Sequence, residues 1–528
     1  MSITGEKQAV DRGASPHSAE RREAARGGVI GIAGAAIGSV MGFALTFILA
    51  RSLGEAGSGV VLQTIAIFTI VLGLAKAGMD TAAVWLLPRL QLSDRSSLRG
   101  ATMALLVPAA VVGSLLALLL AVLAPRLGDG GDADSQQLVQ AVQGASWFLP
   151  AAAIMMVALA ATRALGSIVP YAAIGNIGLP VARPLLVLGA LGLGALGLGT
   201  LPVLASIAWA APVAIAMLAA LMILRRRIKA HEQGAGSRVP LWPSRDLNVQ
   251  IWKFALPRWF SSGVEQSIIW FDVVLVGLIA GAGAAGVYGA ASRFVSVGLI
   301  VATAMRMVVS PRFSALLGEN KTRQVQDLYS TTVSWIVLLG APIYALFMFF
   351  APTVLGWLGS GFESGSTALI VLCVGALTFL MAGNVDALLM MSGRSGWMAV
   401  NKVIVLVLNV LGNLWLVPLW GITGAAVSWA FSLLLDSVLA SVESRIFLGI
   451  KFGARRVFYA LFVAAACVVP VSLLTRALMG QSTAAVFVAG ATSMAALAAW
   501  CWLDRKRLHL DDLALLSRSG RRKGPATP

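Results

Sequence analysis

Arg258, Glu265 and Asp272 stand seven residues apart in an otherwise apolar stretch, with Ser261 and Ser262 between them. On a helix that step is about two turns, so the three share one stripe. Lys402, Asn409 and Asn413 follow at steps of seven and four, and Asn176 and Arg183 are again seven apart, among Pro180 and Pro184. Asn384, Asp386 and Asp436 add polar positions inside further apolar runs, and Arg293 and Arg306 two more cations. Such residues offer binding chemistry: cationic groups for anions, carboxylates for cations or protons, amides for hydrogen bonds. A carboxylate at the centre of a lone spanning helix costs roughly 2.5–3.5 kcal/mol on insertion scales. These stripes are therefore expected to face a hydrated cleft or another helix, with Arg306, Glu443 and Arg258 near enough to helix ends to snorkel.

The elements that carry them are membrane helices. The chain has 528 residues, 58% hydrophobic and 12% charged, with a mean hydropathy of +0.85. Soluble domains carry about 25% charged residues. Apolar runs of about twenty residues recur, each enough to cross a hydrocarbon core of roughly 30 Å. Fourteen spans are expected: 27–50, 60–79, 101–124, 145–166, 171–195, 201–224, 257–280, 286–308, 329–351, 366–391, 398–418, 421–444, 457–476 and 482–503.

A net charge of +17 suggests nucleic acid until the cations are placed. With the N-terminus in the cytoplasm, only Arg51, Arg126 and Arg476 fall on the outer side, and Lys76, Arg183, Arg258, Arg293, Arg306 and Lys402 fall inside spans. That is the positive-inside bias, so the excess reports topology and no nucleic-acid partner is expected. The outer loop 125–144 carries Asp129, Asp132 and Asp134 against Arg126 alone. The first 26 residues lack the apolar core of a signal peptide, so the first helix is expected to stay as an anchor.

Gly54 and Gly59, followed by Val60, reappear about 226 residues later as Gly281 and Gly286, followed by Val287. Met79-Asp80 likewise matches Met305-Arg306, and Asn176 and Arg183 fall opposite Lys402 and Asn409. A six-span repeat is even, so both copies enter the membrane in the same orientation, with a site expected between them. The expected fold is an all-α polytopic membrane protein of about fourteen helices in two pseudo-symmetric six-helix lobes. The expected parts are a basic cytoplasmic segment 1–26, an N-lobe 27–224, a cytoplasmic linker 225–256 and a C-lobe 257–444. Two appended helices (445–503) and a basic cytoplasmic tail (504–528) complete the chain. Gly34, Gly38 and Gly42 give the first helix a small-residue packing face.

Cys373, Cys467 and Cys501 are dispersed and read as buried thiols, and His17, His231 and His509 lie outside the spans. No metal-ligand spacing, phosphate loop or catalytic constellation occurs, so no metal, no cofactor and no enzymatic activity is expected.

Several stretches resemble the polysaccharide-biosynthesis (Wzx-type) flippases of the multidrug/oligosaccharidyl-lipid/polysaccharide exporter superfamily. ILARSLGEAGSGVVLQTIAIF (48–68) and LAKAGMDTAAVWLLPR (74–89) are similar to that family's first turn and second helix. FALPRWFSSGVEQSIIWFDVVLVGLIAGAGAAGVYGAASR (254–293) places Asp272 at its acid position, and LLMMSGRSGWMAVNKVIVLVLNVLGNLWLVPLWGITGAAVSW (388–429) matches a third signature. The resemblance spans about 27 to 450. It implies alternating access by two rocking lobes in the bacterial cytoplasmic (inner) membrane, both termini cytoplasmic. The implied substrate is a polyprenyl-pyrophosphate-linked oligosaccharide moved from the inner to the outer leaflet. The implied substrate cleft is Arg183, Lys402, Arg293, Arg258, Glu265, Asp272, Asn176 and Asn409, its cations holding the pyrophosphate. Asp272 and Glu265 would take a coupling H⁺ or Na⁺, and the polymerase and chain-length proteins of polysaccharide assembly would be partners. An ion-coupled multidrug/cation antiporter and a lipid II flippase are the alternatives. The lipid II flippases carry an Arg-Asp pair in the first helix, whereas Gly27 to Ala50 holds no charge.

Overall fold

A computed structural model describes residues 16–128, 131–197, 199–232, 240–505 and 507–508. The readings placed on residues 1–15, on Asp129 and on the tail from His509 onward lie outside these.

α1 is assigned as Pro16–Ala75, but Gly54 (φ 67°, ψ −166°) interrupts it. A straight 60-residue helix would be about 90 Å long, three times the hydrocarbon thickness. Gly54 takes a backbone conformation that a Cβ disfavours, and the chain turns back there. α2 (Met79–Ser93) follows a break at Ala77 and Gly78, both with positive φ. α3 is Leu98–Leu123; α4 (Ala133–Ser146) and α5 (Leu149–Ala164) meet at 46°. A π-helix, Tyr171–Gly178, runs into α6 (Leu179–Ala195), and α7 (Leu201–Ala210) and α8 (Pro212–Glu232) complete the first half.

The second half holds α9 (Arg245–Ala280), α10 (Ala282–Gly318), α11 (Thr322–Phe349) and the short α12 (Ala351–Gly356). Next come α13 (Ser366–Ala382), α14 (Val385–Met391), α15 (Ser395–Trp420) and α16 (Ile422–Leu448). α17 (Ala454–Met479) and α18 (Thr483–Leu503) close the chain.

Among the described residues, twelve helices are long and apolar enough to cross a membrane, thirteen with α4 and α5 joined as one bent span. The difference from fourteen is α1, counted once there and divided in two by Gly54. Two expected loops are shorter than the sequence suggested. Asp132 caps α4 by accepting from the Ser135 amide at 3.3 Å, so most of 125–144 is helix. The stretch 225–256 is helical at both ends, through Glu232 and from Arg245.

The seam between the halves is α1 against α9 and α10. Here the repeated glycine turns pack on each other. A Cβ at Gly59 would lie 1.8 Å from the Ala282 carbonyl oxygen, and one at Gly286 would lie 2.1 Å from that of Glu55. Only glycine lets the two backbones approach so closely. Arg51 Nε reaches across and donates to the Trp357 carbonyl at 2.9 Å. Toward the other end, Gly73 abuts Gln266 and Gly78 abuts Ala255, so the seam is closed at both ends.

α17 and α18 are tied to α11. Gln326 clasps the Lys451 backbone through its donor (2.7 Å) and its acceptor (2.6 Å), and Trp335 Nε1 donates to the Leu508 carbonyl at 2.9 Å. At the opposite end, Gln481 Nε2 donates to the Phe349 carbonyl at 3.3 Å, and Trp357 Nε1 to Thr483 Oγ1 at 3.1 Å.

Candidate functional site: a cavity between the two halves

Asp272 sits on α9 where α10, α15 and α16 converge, and is 3% exposed. Asn413 Nδ2 donates to its Oδ1 at 2.8 Å, and the Tyr288 hydroxyl to its Oδ2 at 3.3 Å. The same Asn413 amide lies 2.9 Å from the Asn409 carbonyl, and Ser428 Oγ donates to that carbonyl at 2.9 Å. Asn413 Oδ1 remains buried without a donor. The cluster gathers a carboxylate, amide and carbonyl oxygens and two hydroxyls, a set of hard oxygen donors with one orphaned acceptor. Spacing had placed Asp272 and Asn409 apart on two helices; the fold joins them.

Lys402 lies elsewhere. Its Nζ is 2.5 Å from Asp436 Oδ2 and 3.3 Å from Asp386 Oδ2, its side chain 27% exposed. Asp386 is available because the expected span 366–391 breaks after α13 at Gly383 (φ 62°), and α14 starts beyond it. The lysine expected to share a substrate cleft with Arg183 is instead held by two carboxylates within the second half. Arg258 and Glu265 are exposed on α9, and neither side chain has a partner among the described residues. The stripe they form with Asp272 is covered only at Asp272, because lower down α9 turns its Ala255, Gly263 and Gln266 side to α1 and α2.

The cations that share a cavity are Arg183 and Arg293. Arg183 on α6 lies over the ring of Trp209 on α7, 4.1 Å from its centroid. Arg293 on α10 lies over Trp270 on α9 at 4.4 Å. One stack comes from each half, and all four residues line one cavity of about 240 Å³, walled by Gly38, Gly42 and Thr69 of α1 among others. Among the described residues neither guanidinium forms an ion pair, and Arg183 Nε is buried with no partner at all. Each cation–π stack contributes about 0.5–2 kcal/mol. It orients the planar group while leaving its N–H edge unused.

Arg293 also lines a larger cavity of about 690 Å³ with Asn176, Phe294, Phe347 and Trp357, and a third of about 260 Å³ with Asp272 and Tyr288. It is thus the residue common to the anion-ready pair, the acid cluster and the apolar slot. Asn176 stands on the π-helix, a widened turn frequent at functional sites. Pro180 supplies no N–H to the carbonyl four residues earlier, that of Asn176. That carbonyl lies 3.3 Å from where a Gly38 Cβ would stand, and Asn176 Cβ 3.0 Å from where that of Gly34 would. The small-residue face of α1 therefore packs against the π-helix and the start of α6. Trp209, Trp270, Tyr288 and Ser428 were not singled out from sequence. Tyr288 and Trp270 lay within the stretch 254–293 and Ser428 within 388–429, and no signal distinguished Trp209 from ordinary packing residues.

Comparison with known proteins adds the following. The family described as polysaccharide biosynthesis protein matches residues 24–317, and the MatE family matches 257–415. The "probable low-salt glycan biosynthesis flippase Agl15" of Haloferax volcanii is 27% identical over 184 residues, 35% of this chain and 39% of that protein. The match thus spans well under half of that relative. Among solved structures, the lipid II flippase MurJ in an inward closed conformation superposes with a TM-score of 0.66 at 11% identity, covering 89% of this chain and 98% of that one. An inward-facing multidrug resistance MATE transporter of the MOP superfamily gives 0.61 at 14% identity, covering 78% and 95%. At such identities the two structures show the fold.

Proposed function

We propose, because this chain belongs to the polysaccharide biosynthesis protein family, that it is a flippase for a polyprenyl-diphosphate-linked oligosaccharide. It carries the glycan from the inner to the outer leaflet of the bacterial cytoplasmic membrane, with both termini cytoplasmic. Two lobes, 27–224 and 257–444, rock about the α1–α9–α10 seam, and the appended helices ride with the second. The observation that carries this reading is the pair of unpaired arginines, one from each half, in one cavity. A diphosphate and its sugars cannot cross hydrocarbon unaided. Two guanidiniums whose N–H edges are free match the planar, paired geometry of phosphate oxygens. The cavity of about 690 Å³, walled by Gly34, Gly38, Phe43, Phe294 and Phe347, accepts the first isoprene units beside Arg293.

The acid cluster serves coupling. Asp272, with the orphaned Oδ1 of Asn413 beside it, takes up a proton or Na⁺. Because Arg293 lines the cavity on which Asp272 opens, loading there changes the field at the substrate cation.

The experiment is the lipid-linked sugar pool of cells lacking the protein, resolved by leaflet with a lectin or sugar-oxidising probe. Accumulation on the cytoplasmic leaflet, reversed by the wild-type chain and not by Arg183→Gln/Arg293→Gln, supports the reading. A normal pool with new sensitivity to cationic drugs would replace it with ion-coupled drug export.

A further inference from the structure

The first half holds a cavity of about 200 Å³ next to the arginine pair. Thr69 of α1, Tyr171 and Asn176 of the π-helix, Arg183 of α6 and Trp209 of α7 are among its lining residues. Its polar groups lack partners. Neither the Asn176 amide nor the Tyr171 hydroxyl makes a hydrogen bond among the described residues, and Arg183 Nε is buried and unsatisfied. Thr69 donates its one hydroxyl proton to the Ile65 carbonyl at 2.7 Å, so its lone pairs remain free to accept. Buried polar groups in native proteins are nearly always paired. Arg183 Nε is the buried orphan here, and the half-buried Asn176 amide and Tyr171 hydroxyl beside it are free for the same cavity, so together they point to a ligand that pairs them.

The chemistry of that ligand follows from the lining. An amide and two hydroxyls offer donors and acceptors together, the pattern that reads sugar hydroxyls. Trp209 and Phe68 supply flat apolar walls, edge-on to each other at 5.4 Å. No carboxylate is among the lining residues, so nothing there attracts a cation. The volume equals that of about seven waters, on the scale of one sugar ring. The π-helix explains the convergence: its five-residue step sets Tyr171 and Asn176 on one side of it.

We propose that this cavity is a monosaccharide subsite holding the sugar joined directly to the diphosphate. The inference rests on the flippase reading above. Arg183 lines both this cavity and the one it shares with Arg293, so a diphosphate gripped by the arginines delivers its first sugar here. Asn176 and Tyr171 contact the ring hydroxyls, and Thr69 accepts from one of them.

The test uses the full chain in lipid nanodiscs and two kinds of probe. One is undecaprenyl diphosphate; the other is the same lipid bearing a single hexose or N-acetylhexosamine. The wild type should bind one sugar-bearing lipid on the order of tenfold tighter than the bare one. Tyr171→Phe and Asn176→Ala should bring that ratio to about one, with the ratio as the readout. Thr69→Val, nearly isosteric, keeps the test open should either variant fail to melt cooperatively. Variants that keep the wild-type ratio, or a wild type that binds both lipids equally, would overturn the subsite and leave the flippase reading standing. A wild type that binds neither lipid would remove both.

Discussion

At the scale of single residues, the same residue types divide into two roles according to their partners. Lys402 is a structural cation, because Asp386 and Asp436 hold it. Lys402→Met leaves two carboxylates uncompensated and should destabilise the folded protein by about 3–5 kcal/mol. Thermal melting in detergent checks this, and Lys402→Met/Asp436→Asn should regain part of the loss. Arg183 and Arg293, without an ion pair among the described residues, are the cations proposed to hold substrate. Asp272 is the acid proposed for coupling: Asp272→Asn keeps its size and can keep the bond accepted from Asn413, its new Nδ2 turning to the Tyr288 hydroxyl, while removing its charge. Flipping by that variant should lose its dependence on the imposed Na⁺ or proton gradient and fall on the order of tenfold, about 1.4 kcal/mol of barrier. Vesicle transport with and without each gradient measures it, and undiminished coupling would take Asp272 out of the ion path. Sequence spacing could not separate Lys402 from Arg183. Both are seven residues from an asparagine in an apolar run, and what differs is whether another helix brings a carboxylate.

At the scale of elements, the glycine crossing is the point where the proposed rocking can be tested. Gly59 and Gly286 let α1 and α10 touch backbone to backbone. Gly59→Val should hold the halves apart at that end. A cysteine at Ser296, which lines the cavity of about 690 Å³, should then react faster with a membrane-impermeant thiol reagent added from that side. An unchanged rate would mean that the seam seals elsewhere. The repeated G-x4-G-V turn was visible in the sequence. Its purpose was not, because a repeat announces two similar turns and says nothing of their contact. Helix breaks were legible in the same partial way. Pro180 marked the expected span 171–195 as bent, but the π-helical widening that presents Asn176 packs on Gly34 and Gly38 of α1, which spacing does not carry.

At the scale of the whole molecule, the two halves share one anion-ready cavity, so ligand and conformation must be linked. Two guanidiniums from opposite halves repel each other when the cavity is empty, and a bridging diphosphate reverses the sign of that interaction. Inorganic diphosphate should therefore shorten a spin-label distance measured across the seam, and Arg183→Gln/Arg293→Gln should abolish the shortening. Equal distances with and without the ligand would mean that the cavity does not link the halves. The sequence by itself determined the membrane class, the approximate spans, their repetition and the acid at Asp272. Each of these follows from hydropathy, charge placement and spacing along one chain. Tertiary structure alone decided which polar residues come together: Asn413 with Asp272, Lys402 with its two aspartates, and Arg183 and Arg293 on the walls of one cavity. The physical reason is that hydropathy constrains each helix separately against the lipid. Pairing is fixed by how helices far apart in the chain rotate and pack, and spacing along one chain does not carry that information.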